Sequence, residues 1–542
     1  MLTVSHINKS FGGVNILKDV TFILNRGEKA GLVGANGCGK TTLLRILCGE
    51  ESADRGSFQK DRSDILGYLS QTPQFDENKP LHFYLQTGSP DAQELPDRLE
   101  KLALEMIKNP ENSRLQIEYD RVLMRISFEE EFKRRLQEYI RLFELDQINL
   151  ETPVGLISGG QQMRLSLARI LAEEPHILFL DEPTNHLDII MLEWLEKFLR
   201  EYRGALLVVS HDREFLDRTV NCIFEIDTRT HKLERYAGAY SDYVEQKENR
   251  FEKKLEEFEG REQEIYRLRQ AAGRMRGLTN FRPGGKAAGK DKFARGFFAN
   301  RSLAVASKVK NIEHRVDKLL QEQSGGAPKP DREPKFSFHS AGDGGRVVLE
   351  MLDFSIGFPE KKLVDGINMS IHQGERIALT GPNGCGKSTL LRTIQGQLQP
   401  TGGAFHLGGG VRVGFMEQNS LSSASGLSAI DYLMKNGMHS QTTARYILAR
   451  YLIFNEDATD PIERLSQGQR ARLCLAGLAM AGCNFLLLDE PFNHLDIISR
   501  QQFEKALDQF EGSVLIVTHD RYFIRRGVTG VWRIDSGRLE LC

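Results

Sequence analysis

The 542-residue sequence has no run of 18 apolar residues, so it offers no candidate membrane-spanning helix. Its opening stretch, MLTVSHINKSFGG, lacks the apolar core of a secretory signal. The 7 cysteines are scattered, with no CxxC pair and no Cys/His cluster, so neither a disulfide framework nor a zinc site is expected. Reduced thiols and a cytoplasmic location are the plain expectation. Net charge is also small, at −2. That balance conceals a local excess: between Arg267 and Lys310 stand 12 Lys and Arg against one acid, Asp291, a net of +11 that leaves −13 for the rest. A basic island in an acidic body either seeks an acidic partner or is a solvated helical face. A chain of this length is expected to hold more than one domain.

What is present is one pattern written twice. GLVGANGCGKTT places Gly34, Asn36, Gly37, Cys38, Gly39, Lys40, Thr41 and Thr42 between an apolar strand and a helix. This is G-x-x-x-x-G-K-[ST] in its strand-loop-helix setting. The glycines let backbone N–H groups close on phosphates, the lysine reaches the outer phosphates, and the hydroxyl serves Mg²⁺. A disulfide at Cys38 or Cys385 would obstruct these loops. The second copy carries Gly381, Asn383, Gly384, Cys385, Gly386, Lys387, Ser388 and Thr389. Four further landmarks recur in order: Gln71 with Gln418, Ser158 of LISGGQQMR with Ser466 of RLSQGQRAR, Asp181-Glu182 with Asp489-Glu490, and His211 with His519. Such ordered self-similarity is a duplication.

The offsets locate one difference. Lysines and glutamines repeat at 347, whereas serines, glutamates and histidines repeat at 308, so the first copy carries 39 extra residues within roughly 80–145. That insertion is charged and helix-patterned, broken at Pro110 and Asn112. It is either a lengthened helical subdomain or an arm that grips a partner. Between the copies, Phe251, Leu255, Phe258, Ile265 and Leu268, then Val305, Val309, Ile312, Val316 and Leu319, recur close to a heptad seam. Two seamed helices around a Gly-rich, basic, Phe-bearing centre at 273–300 read as an antiparallel helical hairpin, its tip suited to RNA. At about 1.5 Å per residue, each helix of about 30 residues extends roughly 45 Å. The tip cations are Arg274, Arg276, Arg282, Lys286, Lys290, Lys292 and Arg295.

The ordered set resembles the ATP-binding-cassette nucleotide-binding domain. DEPTNHLD, the insertion in the first cassette and the YAGAYSDYVEQKENR run before the linker resemble the ABC-F family. That resemblance covers nearly the whole chain and implies an α/β fold of two tandem ABC-type P-loop ATPase domains joined by an α-helical hairpin. The expected boundaries are 1–243 for the first domain, 244–323 for the linker, 324–345 for a flexible connector and 346–542 for the second domain. It implies ATP and Mg²⁺ as cofactors. Glu182 and Glu490 would polarise the attacking water, His211 and His519 would face the γ-phosphate, and Gln71 and Gln418 would sense metal and water. Thr41, Gln71 and Asp181, and Ser388, Gln418 and Asp489, would serve the metal. In a head-to-tail sandwich, Lys40 would share an ATP with Ser466, Gly468 and Gln469, and Lys387 one with Ser158, Gly159, Gly160 and Gln161. Phe11 and Phe358, each 29 residues before a loop lysine, suit an adenine platform or the core. Gln467 replaces Gly159 and Phe492 replaces Thr184, so the two sites are expected to differ in rate.

The family further implies a monomer with intramolecular cassette pairing that binds the ribosome at the tRNA exit site. There the partners would be 50S rRNA and P-site tRNA, with the tip reaching toward the peptidyl-transferase centre and no membrane involved. The length, and the absence of an extension beyond Cys542, resemble compact resistance factors of the phenicol, oxazolidinone and tetracycline type. A housekeeping translation factor is the alternative. A transporter ATPase half fits poorly with a charged hairpin and no membrane segment. A DNA-repair or chromosome ATPase fits poorly with two compact cassettes and no zinc spacing.

Overall fold

ILFLD, FLLLD, ALLVV and SVLIV are apolar without alternation, a composition that suits strands covered on both faces. In the computed structural model they are central strands of two parallel sheets, buried throughout. The structure describes the chain apart from residues 74, 87–93, 110–111, 185–186, 280–291, 323–326, 328–332, 339–345, 359–360, 418–425 and 494; at 277–279, 292–304, 322 and 361 it describes the backbone alone. Two units result, Met1–Ser241 with Glu333–Cys542, and Asp242–Arg332.

The first unit holds one architecture twice. The first copy runs β1 (Leu2–Phe11), β2 (Val14–Leu24), β3 (Lys29–Val33), α1 (Lys40–Cys48), β4 (Arg55–Lys60), β5 (Leu66–Leu69), α2 (Leu81–Gln86), α3 (Leu95–Lys108) and α4 (Ser113–Leu142). It continues with α5 (Gly159–Ala172), β6 (Ile177–Asp181), α6 (Ile189–Glu201), β7 (Ala205–Val209), α7 (Arg213–Thr219), β8 (Cys222–Ile226) and β9 (Leu233–Ala237). The sheet order is β5-β6-β7-β3-β8-β9, parallel except for the antiparallel edge strand β9. A second, antiparallel sheet β2-β1-β4 lays Leu2, Val4 and Ile7 against Leu32, Leu43 and Phe224 to form the core. In the insertion, α3 and α4 pack through Leu95, Leu102 and Val122. Asn112 caps α4 by accepting from the Arg114 amide at 3.1 Å. Arg135 of α4 donates to the Ala172 carbonyl at the end of α5 at 2.9 Å.

The linker elements are α8 (Tyr240–Thr279) and α9 (Lys292–Glu322). Ile265, Ala272, Val309 and Val316 are buried in this second unit. Arg315 pairs with Glu264 at 2.9 Å and Arg276 with Glu313, joining the two helices; such exposed pairs add little stability. Of the tip cations, Arg274 and Arg276 are exposed. Arg282, Lys286 and Lys290 lie outside the described residues, and Lys292 and Arg295 are described by backbone only.

The second copy runs β10 (Val347–Phe358), β11 (Lys361–His372), β12 (Arg376–Thr380), α10 (Lys387–Ile394), β13 (Gly402–Leu407), β14 (Val413–Met416), α11 (Ala429–Lys435), α12 (Gln441–Arg450) and α13 (Asn455–Thr459). It ends with α14 (Gln467–Met480), β15 (Phe485–Asp489), α15 (Ile497–Asp508), β16 (Ser513–Val517), α16 (Arg521–Arg526), β17 (Gly530–Asp535) and β18 (Arg538–Leu541). Its sheet, β14-β15-β16-β12-β17-β18, repeats the first order strand for strand. The segment expected to be a free connector is anchored in part. Phe336 packs on Tyr451 and Phe503 with ring centroids 5.1 and 6.0 Å away, and Phe338 on Phe503 and Phe510 at 5.9 and 6.0 Å. The Lys335 amide donates to the Arg450 carbonyl at 2.8 Å. Glycine and proline nearby favour a loop, but two buried phenylalanines outweigh them.

Phe336→Ala is therefore expected to cost about 3 kcal/mol through lost burial and the cavity left behind. The measurement is the urea unfolding midpoint of the full chain. An unchanged midpoint would show that 333–338 is a mere tether.

Candidate active site

Four neighbouring strands of the first sheet, β5, β6, β7 and β3, end on the same side, where parallel sheets present their ligands. Gln71 follows β5, Asp181 and Glu182 end β6, His211 follows β7, and the glycine loop follows β3. The loop turns tightly because Gly34 has φ 154° and Gly39 φ 103°. A methyl group on Gly34 would lie 2.6 Å from Cys38 Sγ, and one on Gly39 2.6 Å from an Ile16 methyl. Cys38 is thereby buried beneath the loop. The loop opens α1 without a side-chain cap, leaving the first helical amides to an anion. Lys40 Nζ donates to the Gly34 and Ala35 carbonyls at 2.7 and 3.2 Å, and Lys387 makes the matching pair to Gly381 and Pro382 at 2.8 and 2.9 Å.

A cavity of about 410 Å³ lies over this loop. Phe11, Asn36, Gly37, Gly39, Lys40, Thr41, Thr42, Gln71, Asp181, Glu182 and His211 line it from the first copy, and Ser466, Gln467 and Gly468 from the second. Ser466 is the N-cap of α14. Its hydroxyl accepts from the Gln469 amide at 3.3 Å, and Gln469 Oε1 accepts from the Ser466 amide at 2.9 Å. This capping box turns the positive end of a helix toward the cavity. The Gln469 side chain is occupied by the cap and by Asp457, to which it donates at 2.7 Å. Ser158, Gly159, Gly160 and Gln161 build the same box at the start of α5.

Glu182 and Glu490 both adopt left-handed backbone, with φ 53° and 49°. Non-glycine residues hold that conformation at a cost of about 1 kcal/mol or more, and it is common where a carboxylate must be aimed. Burial pushes Glu182 up to about 7, with Lys40 and Arg500 pulling the other way. His211 Nε2 lies 3.2 Å from Glu182 Oε1, and the His211 amide donates to Oε2 at 3.3 Å. Asp181 is raised by burial and lowered by the Thr41 hydroxyl, yet neither of its buried oxygens makes a well-formed hydrogen bond to protein. Two orphaned carboxylate oxygens beside a hydroxyl and a glutamine suit a hard divalent cation such as Mg²⁺.

The second copy differs in detail. A cavity of about 40 Å³ is lined by Glu490, Asn493 and His519 together with Thr184, Leu192 and Asp212 of the first copy. His519 stands 3.9 Å from Glu490, whose Oε2 accepts from Asn493 Nδ2 at 2.6 Å. Burial pushes His519 down to about 4 and Asp489 up to about 6, the latter opposed by Ser388, and it raises Glu490. Phe358 is 54% exposed, and neither it nor Ser158 lines either of these two cavities. Gln418 lies outside the described residues.

Sequence reading missed Asp496, whose Oδ2 accepts from the Asn36 amide at 3.2 Å while Oδ1 caps α15 through the Ser499 amide at 2.8 Å. The signal was available: Asp188 and Asp496 end the repeated NHLD run and precede helices. It also missed the capping boxes, which S-x-x-Q announces.

A family model described as ABC transporter matches residues 17–185 and 364–493. YdiF of Bacillus subtilis is 33% identical over 100% of this chain and 81% of its own length. ABC transporter F family member 5 of Arabidopsis thaliana is 32% identical over 99% of this chain and 75% of its own. The chain belongs to the ABC-F family. Its two copies are ABC domains, and the ABC-F chain is an ATPase. The solved structure of the archaeal ribosome recycling factor aABCE1, bound to the stalk protein aP1, shares the fold, with a TM-score of 0.60, 18% identity, and coverage of 98% of this chain and 89% of that one. Among the described residues of this ABC-F protein, no helix is long and apolar enough to cross a membrane.

Glu182 supplies a pH test. Its carboxyl is held at about 7 in the fold against an ordinary 4.5, so at high pH the charged form destabilises the fold relative to the neutral one. Stability contributed by this group therefore falls as pH rises from about 4.5 to 7. Glu182→Gln should raise the apo protein's stability above pH 7 by at most roughly 3 kcal/mol. Thermal melts in EDTA should show that gain vanish near pH 4.5. A gain independent of pH would remove the buried charge as its cause.

Proposed function

We propose that the chain binds and hydrolyses ATP at two composite sites and applies that cycle to the ribosome. The observation that carries the first part is the larger cavity, which joins Lys40 and Glu182 of one copy to Ser466 and Gly468 of the other. Lys40, the α1 amides and the head of α14 would bind the triphosphate, and Phe11 would pack on adenine. Thr41, Asp181 and Gln71 would hold Mg²⁺, which neutralises phosphate charge. Glu182, buried and with a raised pKa, would orient the attacking water and take its proton. His211, 3.2 Å away, would fix that carboxylate and face the γ-phosphate. Most of the rate then comes from positioning and charge stabilisation. The second site would pair Lys387, Asp489, Glu490 and His519 with Ser158 and its helix.

The ribosomal part rests on family membership and on the net charge of +11 around the linker tip. Such an excess engages RNA phosphates and makes affinity salt-dependent. In this reading the chain works in the cytoplasm at the tRNA exit site. The tip approaches the peptidyl-transferase centre and releases a large-subunit antibiotic or restarts a stalled complex.

Glu182→Gln together with Glu490→Gln should trap the closed form. With ATP, that protein is expected to sediment with 70S ribosomes; its staying in the supernatant would end the ribosomal reading. Deleting Arg282 to Phe298 should abolish any drug protection conferred on a sensitive bacterium. Equal growth of the wild-type and tip-deleted strains under every drug would move the function to elongation without resistance.

A further inference from the structure

Each histidine of the site opens the run His-Asp-Arg, at 211–213 and again at 519–521. Each arginine reaches a glutamate of the other copy. Arg213 Nη2 lies 2.5 Å from Glu504 Oε1, and Arg521 clasps Glu196 with both terminal guanidinium nitrogens, Nη1 at 3.3 Å from Oε2. The two contacts join matching positions, because 213 to 521 and 196 to 504 are both offsets of 308, although Glu196 also accepts from Arg218 of its own copy at 3.1 Å. All four side chains are largely buried, Glu196 at 1% exposure and Arg521 at 8%. Arg213 also lies over the Tyr522 ring at 4.6 Å.

The path from arginine to histidine is short and stiff. Asp212 caps α7 by accepting from the Phe215 amide at 2.9 Å, and its own amide donates to Ser210 Oγ at 3.0 Å. Asp520 caps α16 through the Phe523 amide at 2.9 Å, with its amide on Thr518 Oγ1 at 3.0 Å. Each aspartate, which stands between the histidine and the arginine, is thus bonded to the residue before the histidine and to the first turn of the helix that the arginine opens. A buried guanidinium held by a carboxylate of the opposite copy therefore sets where the loop stands.

We propose that Arg213 and Arg521 are positioning residues for hydrolysis: each holds the histidine loop of its own copy against a glutamate of the other, so that Glu504 serves the first site and Glu196 the second. This rests on the reading of Glu182 and Glu490 as the catalytic carboxylates. The assignment is crossed, since a residue of the second copy controls the first site. A merely structural interface would show no such crossing.

The test uses single-turnover ATP hydrolysis by the full chain in two backgrounds, Glu490→Gln to isolate the first site and Glu182→Gln to isolate the second. Glu504→Ala, and the milder isostere Glu504→Gln, should slow the first site by roughly tenfold to a hundredfold while half-saturating ATP changes little. The second site should keep its rate. Glu196→Gln should do the reverse. The exchanged pair Arg213→Glu with Glu504→Arg should recover most of the first-site rate. Slowing of both sites alike, or of neither, overturns the proposal alone. Wild-type turnover by the Glu182→Gln, Glu490→Gln protein overturns the catalytic reading and the proposal with it.

Discussion

The hydrogen bond from the Asn36 amide to Asp496, with Ser466 heading a helix toward the same cavity, ties a phosphate loop of one copy to the other. Much else depends on that tie. A triphosphate lying against Lys40 would touch donors from both copies, so it would bind their joined arrangement more tightly than either half. Differential affinity of this kind is the only means by which a ligand shifts a conformational equilibrium. Burial in the fold strips water from Asp181 and Glu182. Loss of water lifts their proton affinities and leaves Asp181 with two unsatisfied oxygens. A buried carboxylate without partners is costly in a resting fold. The cost is intelligible if a cation and phosphates are what the pair is arranged to meet.

A near-twofold relation runs through the interface. Arg213 with Glu504 and Arg521 with Glu196 obey it, and so do the caps at Asp212 and Asp520. A buried ion pair is weak evidence for stability, because desolvation offsets much of the attraction. Its value here is geometric. At Arg521 the bidentate guanidinium fixes distance and orientation together, which a hydrophobic contact does not.

Much of this was legible from residues alone. The central strands were signalled by ILFLD and FLLLD, short apolar runs ending at the motif carboxylates, and the loops by the lysine and glycine spacing that suits phosphate. Phe11, Gln71, Glu182 and His211, scattered over some 200 positions, are marked by motif and resemblance and meet at one cavity. Beyond the expected meeting of Lys40 with Ser466 and Gly468, the side-chain contacts between copies were not legible. The repeated NHLD run marks Asp496 as a helix start and Glu504 is one polar residue on a helix face, but nothing local marks which side meets the other copy. Only the repeat offset could have suggested that Arg213 and Arg521 do the same work. The anchoring of Phe336 and Phe338 was hidden by composition, because glycine and proline nearby describe the chain's freedom and not what two aromatic rings find to pack on.

The places where the copies depart from each other are concentrated beside the two sites. Thr184 in the first copy lies 3.2 Å from Ser210, a hydroxyl pair that bridges the segment after Glu182 to the histidine loop. At the matching position Phe492 makes no such bond; it packs on Phe503 and Phe523 with centroids 5.6 and 5.1 Å away. Leu192 lines the cavity beside Glu490, and so does its counterpart Arg500, a buried cation 3.8 Å from Asp520 whose charge also lowers Glu182. The first glutamate therefore feels a positive charge from the opposite copy, whereas at the second the opposite copy supplies an aliphatic side chain in that place. His211 sits closer to its glutamate than His519 does, at 3.2 against 3.9 Å. A duplication leaves two sites equal only while their shared boundary stays symmetric. Here the boundary has changed on one side, in charge and in hydrogen bonding, so the two carboxylates ionise and orient under different fields even though every motif is present twice.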